Sequence, residues 1–385
     1  MKVGLIGFTT VNLGDDVQAI ATSLNLPYVD RLVLRDKFAS LKLDERHFCL
    51  MQSWFTKQRL LAPSSAIDPL FFGFCFGGET MSYGLWPRYL RKYQPIGCRD
   101  TGSVARLKKL GIDAHWSGCL TLRIGSFLKP VPREERKGTY LVDLLPGSLK
   151  YIPEDIRARG VAISNAVPPA ILDDPLARMS RIAKICDVLR RAELVVTKRL
   201  HTVLPSVGFG TPAVVFALNR KGNVHRFSGF EEFVPINFFG PGVEPKPVDW
   251  ANVVPATIPA HLDARYAELR GEIASRLGGV GETQYDNLYR RDVITFPNPG
   301  LGHEAGRVAI DLGMTRVERV PLVWTEKFIT VEIESYASFE RFRAPLLVMG
   351  NRNKEWTEVG RIDQMIGAST VQPYPSEEEL LRGFA

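Results

Sequence analysis

The residues most able to do chemistry stand directly after an apolar run, where Leu194-Val195-Val196-Thr197 gives way to Lys198-Arg199-Leu200-His201-Thr202. The run reads as a buried strand, and the residues after it as the start of a helix. Lys198, Arg199 and His201 therefore gather at a strand's carboxyl end, beside the positive end of a helix dipole. A cationic cluster is locally unfavourable there and wants an anion. Arginine offers a two-pronged donor, while lysine and histidine add further donors, a set that suits a ligand carrying both a carboxylate and a phosphate. The same spacing is also compatible with a solvated basic loop. Asn219-Arg220-Lys221 and Asn223 to Gly229 follow the next apolar run and add charge on the same sheet edge; most of these read as surface residues, with Asn219 and Arg226 the secondary donor-side candidates.

Two further stretches hold the same position after a strand. Asn12-Leu13-Gly14-Asp15-Asp16-Val17-Gln18 follows the first apolar run, where open α/β sheets receive ligands. Its amides could hold an anion or a sugar hydroxyl, and Asp15 or Asp16 could accept a proton. The plainer reading is a capping box, Asp15 with Gln18, and a turn at Gly14. Gly77-Gly78-Glu79 closes the run Leu70 to Phe76, and its glycines equally allow close approach of a ligand or a tight strand exit.

Other chemistries lose support. No G-x-G-x-x-G follows the first strand, and Gly208-Phe209-Gly210 precedes a strand rather than a helix. Neither a P-loop nor a G-x-S-x-G elbow is present, which weakens dehydrogenase, kinase and hydrolase readings. The five cysteines are scattered, with no CxxC pair, so they offer neither a disulfide framework nor a zinc signature, and no metal is expected. A net charge of +7 suits anionic ligands, but no base-stacking or groove-reading motif accompanies it, so no nucleic-acid partner is expected. No apolar stretch approaches the roughly 20 residues of a membrane span, and the N-terminus lacks the pattern of a signal peptide, so a cytoplasmic location is expected.

The elements that must position these residues alternate. Strands are expected at Lys2 to Phe8, His47 to Gln52, Leu70 to Phe76, Pro95 to Cys98 and Ile112 to Ser117, with helices at Asp15 to Leu24 and Ser103 to Leu110. Lys129 to Gly138, rich in proline and charge, reads as a linker. A second series follows, with strands at Thr139 to Leu144, Val161 to Ser164, Leu194 to Thr197 and Ala213 to Ala217. Its helices fall at Pro175 to Glu193, His201 to Gly208 and His261 to Leu277. Two such blocks predict an α/β protein of two Rossmann-like, doubly wound domains facing a cleft, residues 1–128 and 129–283. Residues 284–385 form a small appended α+β region with no assigned role, with strands expected at Val320 to Tyr336 and Pro345 to Met349.

Several phrases, in order, resemble the polysaccharide pyruvyl transferase family. They are Asn12-Leu13-Gly14-Asp15-Asp16-Val17-Gln18-Ala19, Gly97-Cys98-Arg99-Asp100, Ser117-Gly118-Cys119-Leu120-Thr121-Leu122, Thr197-Lys198-Arg199-Leu200-His201, Gly210-Thr211-Pro212 and Arg226-Phe227-Ser228-Gly229. The resemblance spans roughly residues 1 to 230 and implies a fold similar to the two-domain glycosyltransferases. It also implies transfer of the pyruvyl group of phosphoenolpyruvate, a co-substrate, onto a sugar, oligosaccharide or lipid-linked glycan as a ketal. The pair Arg199 and His201 would then bind the donor and catalyse, His201 as general acid, with Lys198, Thr202, Asn219 and Arg226 around the donor. The first domain would bind the acceptor through Asn12, Gly14, Asp15, Gly77, Gly78 and Glu79, with Asp15 or Asp16 as base. No cofactor is implied, and a membrane would be met peripherally through the acceptor. Two other readings stay open: a nucleotide-sugar glycosyltransferase of the same architecture, and a non-catalytic module that binds glycans or phosphorylated ligands.

Overall fold

The structure is a computed structural model that describes residues 1–277 except 27–28, 41–42, 44, 56–61, 78–84, 129 and 174; beyond residue 277 it describes only the strands named below. In the N-terminal half, β1 (Lys2–Gly7) lies between β2 (Arg31–Leu34) and β3 (His47–Leu50), and β3 pairs with β5 (Ile67–Leu70), all in parallel. A second parallel sheet has the order β4 (Ser53–Phe55), β6 (Phe74–Phe76), β7 (Ile96–Cys98) and β8 (Ala114–Trp116). The strand expected at His47 to Gln52 ends at Leu50, and the run expected as a single strand at Leu70 to Phe76 is interrupted. Gly73 takes a φ of +69° between β5 and β6, and the chain also breaks between β3 and β4. The two ladders therefore share two bent strands. Their fully buried residues, such as Phe48, Leu50, Phe74 and Phe76, suit a parallel sheet covered on both faces.

The second half holds one five-stranded parallel sheet. Its order is β10 (Gly160–Ile163), β9 (Thr139–Val142), β11 (Leu194–Thr197), β12 (Ala213–Leu218) and β13 (Ile236–Phe239). Parallel neighbours need crossover connections, and α5 (Pro175–Arg191) and α6 (Leu200–Gly208) supply two of them.

Residues Leu13–Ser23 form α1, and Thr101–Lys109 form α3, with the short α2 (Trp86–Lys92) between them in sequence. Asn12, not Asp15, is the N-cap of α1: its side chain accepts from the Gly14 amide at 3.2 Å. The expected Asp15–Gln18 contact forms inside the first turn instead, with Gln18 Nε2 donating to Asp15 at 3.2 Å.

One apolar core runs through both halves, from Leu5 and Val17 to Val203 and Leu204. The seam is laced by polar contacts as well. Leu13 N donates to Asn165 O at 2.7 Å, Gly102 N donates to Ser228 Oγ at 2.7 Å, and Arg178 closes on Asp16 at 2.8 Å. The expected linker is itself anchored, since Arg136 donates to the carbonyls of Arg190 and Phe209 and to Thr211 Oγ1. The helix expected at His261 to Leu277 is present as α8 (Ala260–Leu277), after the short α4 (Glu154–Arg159) and α7 (Lys221–Phe227).

In the C-terminal region the described residues form a six-stranded antiparallel sheet. Its order is β14 (Val293–Pro297), β17 (Phe328–Glu332), β16 (Val320–Trp324), β15 (Gly306–Ile310), β18 (Leu347–Arg352) and β19 (Glu355–Arg361). The single strand expected at Val320 to Tyr336 is thus a pair, β16 and β17.

Candidate active site

Strand β11 ends at Thr197, whose hydroxyl donates to Val142 O at 3.0 Å and accepts from Arg199 N at 3.0 Å. This tether turns the chain sharply, so that Arg199 occupies the N-cap position of α6 and His201 lies in its first turn. The helix is kinked at His201, with φ −84° and ψ 24°. Helix α6 is seated very close to the segment Leu120–Phe127: a Cβ on Gly125 would stand 1.8 Å from Gly208 O. Helix α1 approaches from the other half, and a Cβ on Gly14 would lie 3.2 Å from His201 Cβ. Gly14 therefore lets the two helix starts approach closely, since a side chain there would press on His201 and Asn12.

His201 is 3% exposed, and its Nε2 is buried without a hydrogen-bond partner. Burial lowers its pKa well below the usual histidine value, and the nearby charges of Arg99 and Arg226 lower it further. Arg99 is 0% exposed. Its one side-chain hydrogen bond runs from Nη2 to Asp100 at 3.2 Å, while Nε and Nη1 are buried and unpartnered. Arg226 is half-buried and lies over the Trp54 ring, 4.8 Å from its centroid, with Nε unpartnered. Burial, joined by the like charges of Arg99 and Arg199, pulls its pKa down to about 10, against the opposite pull of Cys75 and Asp15. Arg199 donates from Nε to Asp143 at 2.8 Å.

The sequence-derived candidates fall into three groups. Arg226 is within electrostatic reach of His201, of Arg199 and of Asp15 around the seam. Lys198 is half-buried, and its pKa is lowered by burial and then by Arg199. Asp15 is held by Thr10 Oγ1 at 2.6 Å and by Gln18. A second group serves the framework. Asp16 takes three donations from Arg178, at 3.2, 3.3 and 2.8 Å, so its carboxylate is a strut between the halves. Thr202 Oγ1 accepts from Asn165 at 2.9 Å, and Asn12 caps α1 and bridges to Ala166. Asn219 is exposed at the end of β12, and Gly77 is buried behind β6 with its amide on Phe55 O. The third group, Gly78 and Glu79, lies outside the described residues.

Sequence reasoning missed the weight of Arg99, although Gly97-Cys98-Arg99-Asp100 carried part of the resemblance. The available signal was its place at the carboxyl end of β7, where ligands meet open sheets. The same region holds Cys75, Asp100 and His225, whose ligand atoms lie within 4.8 Å of one another. This donor set suits a cation poorly: Arg99 already pairs with Asp100, and burial pushes the Cys75 thiol up to about 12.

The role of the Arg226-Phe227-Ser228-Gly229 phrase is now clear. Ser228 accepts the Gly102 amide at the start of α3 and donates to His225 O, while Gly229, at φ +90°, sits against Thr101 and Trp116 with no room for a Cβ. The turn bolts the second half onto the first and delivers Arg226 to the seam.

Buried guanidinium nitrogens without acceptors are costly, and Arg99, Arg226 and His201 each keep at least one such buried nitrogen. The fold and site together define a mixed α/β protein with parallel sheets and a seam that gathers cationic side chains with unpartnered nitrogens. Residues 69–220 match the family model described as polysaccharide pyruvyl transferase, and the resemblance read from the sequence stands on that match. The matched span includes Arg99, Asp143, Lys198, Arg199 and His201. No curated protein matches the chain. Among solved structures it is similar to an uncharacterized protein from Klebsiella pneumoniae subsp. pneumoniae NTUH-K2044. The two share 12% identity over 62% of this chain and 93% of that one, with a TM-score of 0.38. No helix among the described residues is long and apolar enough to cross a membrane.

Proposed function

We propose that the chain transfers the pyruvyl group of phosphoenolpyruvate onto a pair of hydroxyls of a sugar, forming a ketal and releasing phosphate. The observation that carries this reading is the convergence of Arg99, Arg226 and His201, each buried or half-buried and each with at least one unpartnered nitrogen. A small ligand with a phosphate and a carboxylate supplies the acceptors that these groups lack.

In this reading the free enzyme keeps His201 neutral, because burial and two cations oppose its protonation. A bound dianion offsets those cations and lets the imidazole take a proton from solvent. His201 then gives that proton to the methylene carbon of phosphoenolpyruvate, and positive charge develops at the central carbon. One sugar hydroxyl attacks there and loses its proton to Asp15, which lies near Arg226 on the opposing helix start. Phosphate leaves with the C–O bonding pair, its charge met by Arg99 and Arg226. The second hydroxyl closes the ring and loses its proton. Donor and diol thus become ketal and hydrogen phosphate with atoms balanced.

The test is incubation with phosphoenolpyruvate and a panel of free, nitrophenyl and lipid-linked sugars, following phosphate release together with a pyruvyl mass gain on the sugar. Both signals with one acceptor class are the expected outcome. Binding of a uridine diphosphate sugar with no response to phosphoenolpyruvate would overturn it.

A further inference from the structure

We infer that Asp143 is a positioning residue that sets the Arg199 guanidinium for the donor's carboxylate; this deepens the pyruvyl-transfer reading and rests on it. Asp143 follows the last residue of β9 and has a φ of 50°, the one non-glycine residue in the left-handed region among the described residues. Such a backbone persists where its surroundings hold it, and it tends to mark functional sites. Here the surroundings are explicit. The amide donates to Ile163 O at 3.1 Å, Oδ1 accepts from Ser164 Oγ at 2.6 Å, and Oδ2 accepts from Asn165 N at 3.1 Å and from Arg199 Nε at 2.8 Å.

Both carboxylate oxygens are therefore committed, and the side chain is 10% exposed while that of Arg199 is 34% exposed. The contact uses only the Nε edge of Arg199, so the outer Nη edge remains for a ligand. The backbone of Arg199 is tethered by Thr197, which is itself bonded to Val142, the neighbour of Asp143. One strand end thus holds both the backbone and the head of Arg199. Asn165 extends the network by donating to Thr202 at 2.9 Å and accepting from Leu13, which ties the starts of α6 and α1 to the same support.

The experiment is a double-mutant cycle on the full chain, with phosphoenolpyruvate affinity and turnover measured for wild type, D143A, R199A and the double variant. D143N serves as the conservative rescue, and a urea midpoint is taken for each. If Asp143 works through Arg199, D143A weakens donor binding about 10- to 100-fold, the usual range when a supporting partner of a binding group is lost. In the R199A background the same change costs less than about twofold, because coupled residues are non-additive. D143N recovers part of the affinity, and kcat at saturating donor moves less than KM. Equal losses in both backgrounds, or a loss that merely follows the urea midpoint, overturn the role of Asp143 alone. A wild-type protein that binds no phosphoenolpyruvate overturns the pyruvyl-transfer reading and this inference together.

Discussion

Replacing Arg99 separates a ligand-binding guanidinium from a structural one. Arg99→Gln alone would strand Asp100, a buried acid that also caps α3 by accepting Ser103 N at 2.8 Å. Breaking one side of a buried pair costs about 3–5 kcal/mol, whereas neutralising both partners is often close to neutral. The informative variant is therefore Arg99→Gln with Asp100→Asn, since asparagine also caps helices well. Arg99 has two buried nitrogens, Nε and Nη1, without acceptors. Each charge-assisted hydrogen bond to a bound anion contributes about 1.5–3 kcal/mol. Taking the lower figure for both, donor affinity should fall by about 3 kcal/mol, or roughly 150-fold. Removing Arg99 also relieves repulsion on Arg226 and His201, so stability should change by less than about 1 kcal/mol. Calorimetric titration with phosphoenolpyruvate and with inorganic phosphate, beside urea unfolding, reads both quantities. A donor affinity within about threefold of wild type, with the fold intact, would refute the assignment of Arg99 to the anion.

Other consequences follow from the same geometry. His201→Gln should lower turnover by about 10²–10⁴, and the rate at which solvent deuterium enters the new methyl group should fall in step, while donor binding stays measurable. Because burial and nearby cations depress the His201 pKa in the free protein, binding of a dianion should raise it. Binding should then take up a proton and strengthen as pH falls. Titration at about pH 7.5 in buffers of differing ionisation enthalpy should show this uptake in wild type and its loss in His201→Gln, well above the phosphate's own second pKa of about 6. Asp16→Asn should destabilise the protein by about 3–5 kcal/mol in urea unfolding, because it leaves Arg178 buried opposite a neutral group. Gly125→Ala places a methyl group against Gly208 O and should lose at least about 1–3 kcal/mol of stability, with turnover falling as α6 shifts.

The alternation of strands and helices was legible because each unit is local. The Leu194–Thr197 strand, the cationic turn and the helix carrying His201 occupy fifteen consecutive positions and appear where expected. The capping of α1 was misread by one turn because Asn12 and Asp15 are both good caps, and only the backbone of the folded chain, extended at Asn12, chooses between them. Arg99 and Asp143 were harder to read. Neither lies in a run of functional residue types, and each acquires meaning from groups far along the chain, Asp143 from Arg199 and Arg99 from His201 and Arg226.

By itself, the sequence determined the apolar periodicity that builds parallel sheets, and the residue types able to bind a small dianion at their carboxyl ends. Tertiary structure alone decided which cations share the seam, which acid is consumed by a strut, as Asp16 is by Arg178, and which stays near Arg226, as Asp15 does. The physical reason is that propensity and hydrophobic pattern act between neighbours in sequence, whereas charge and desolvation act through space. Their effect on His201 could be read only once the two halves had closed around it.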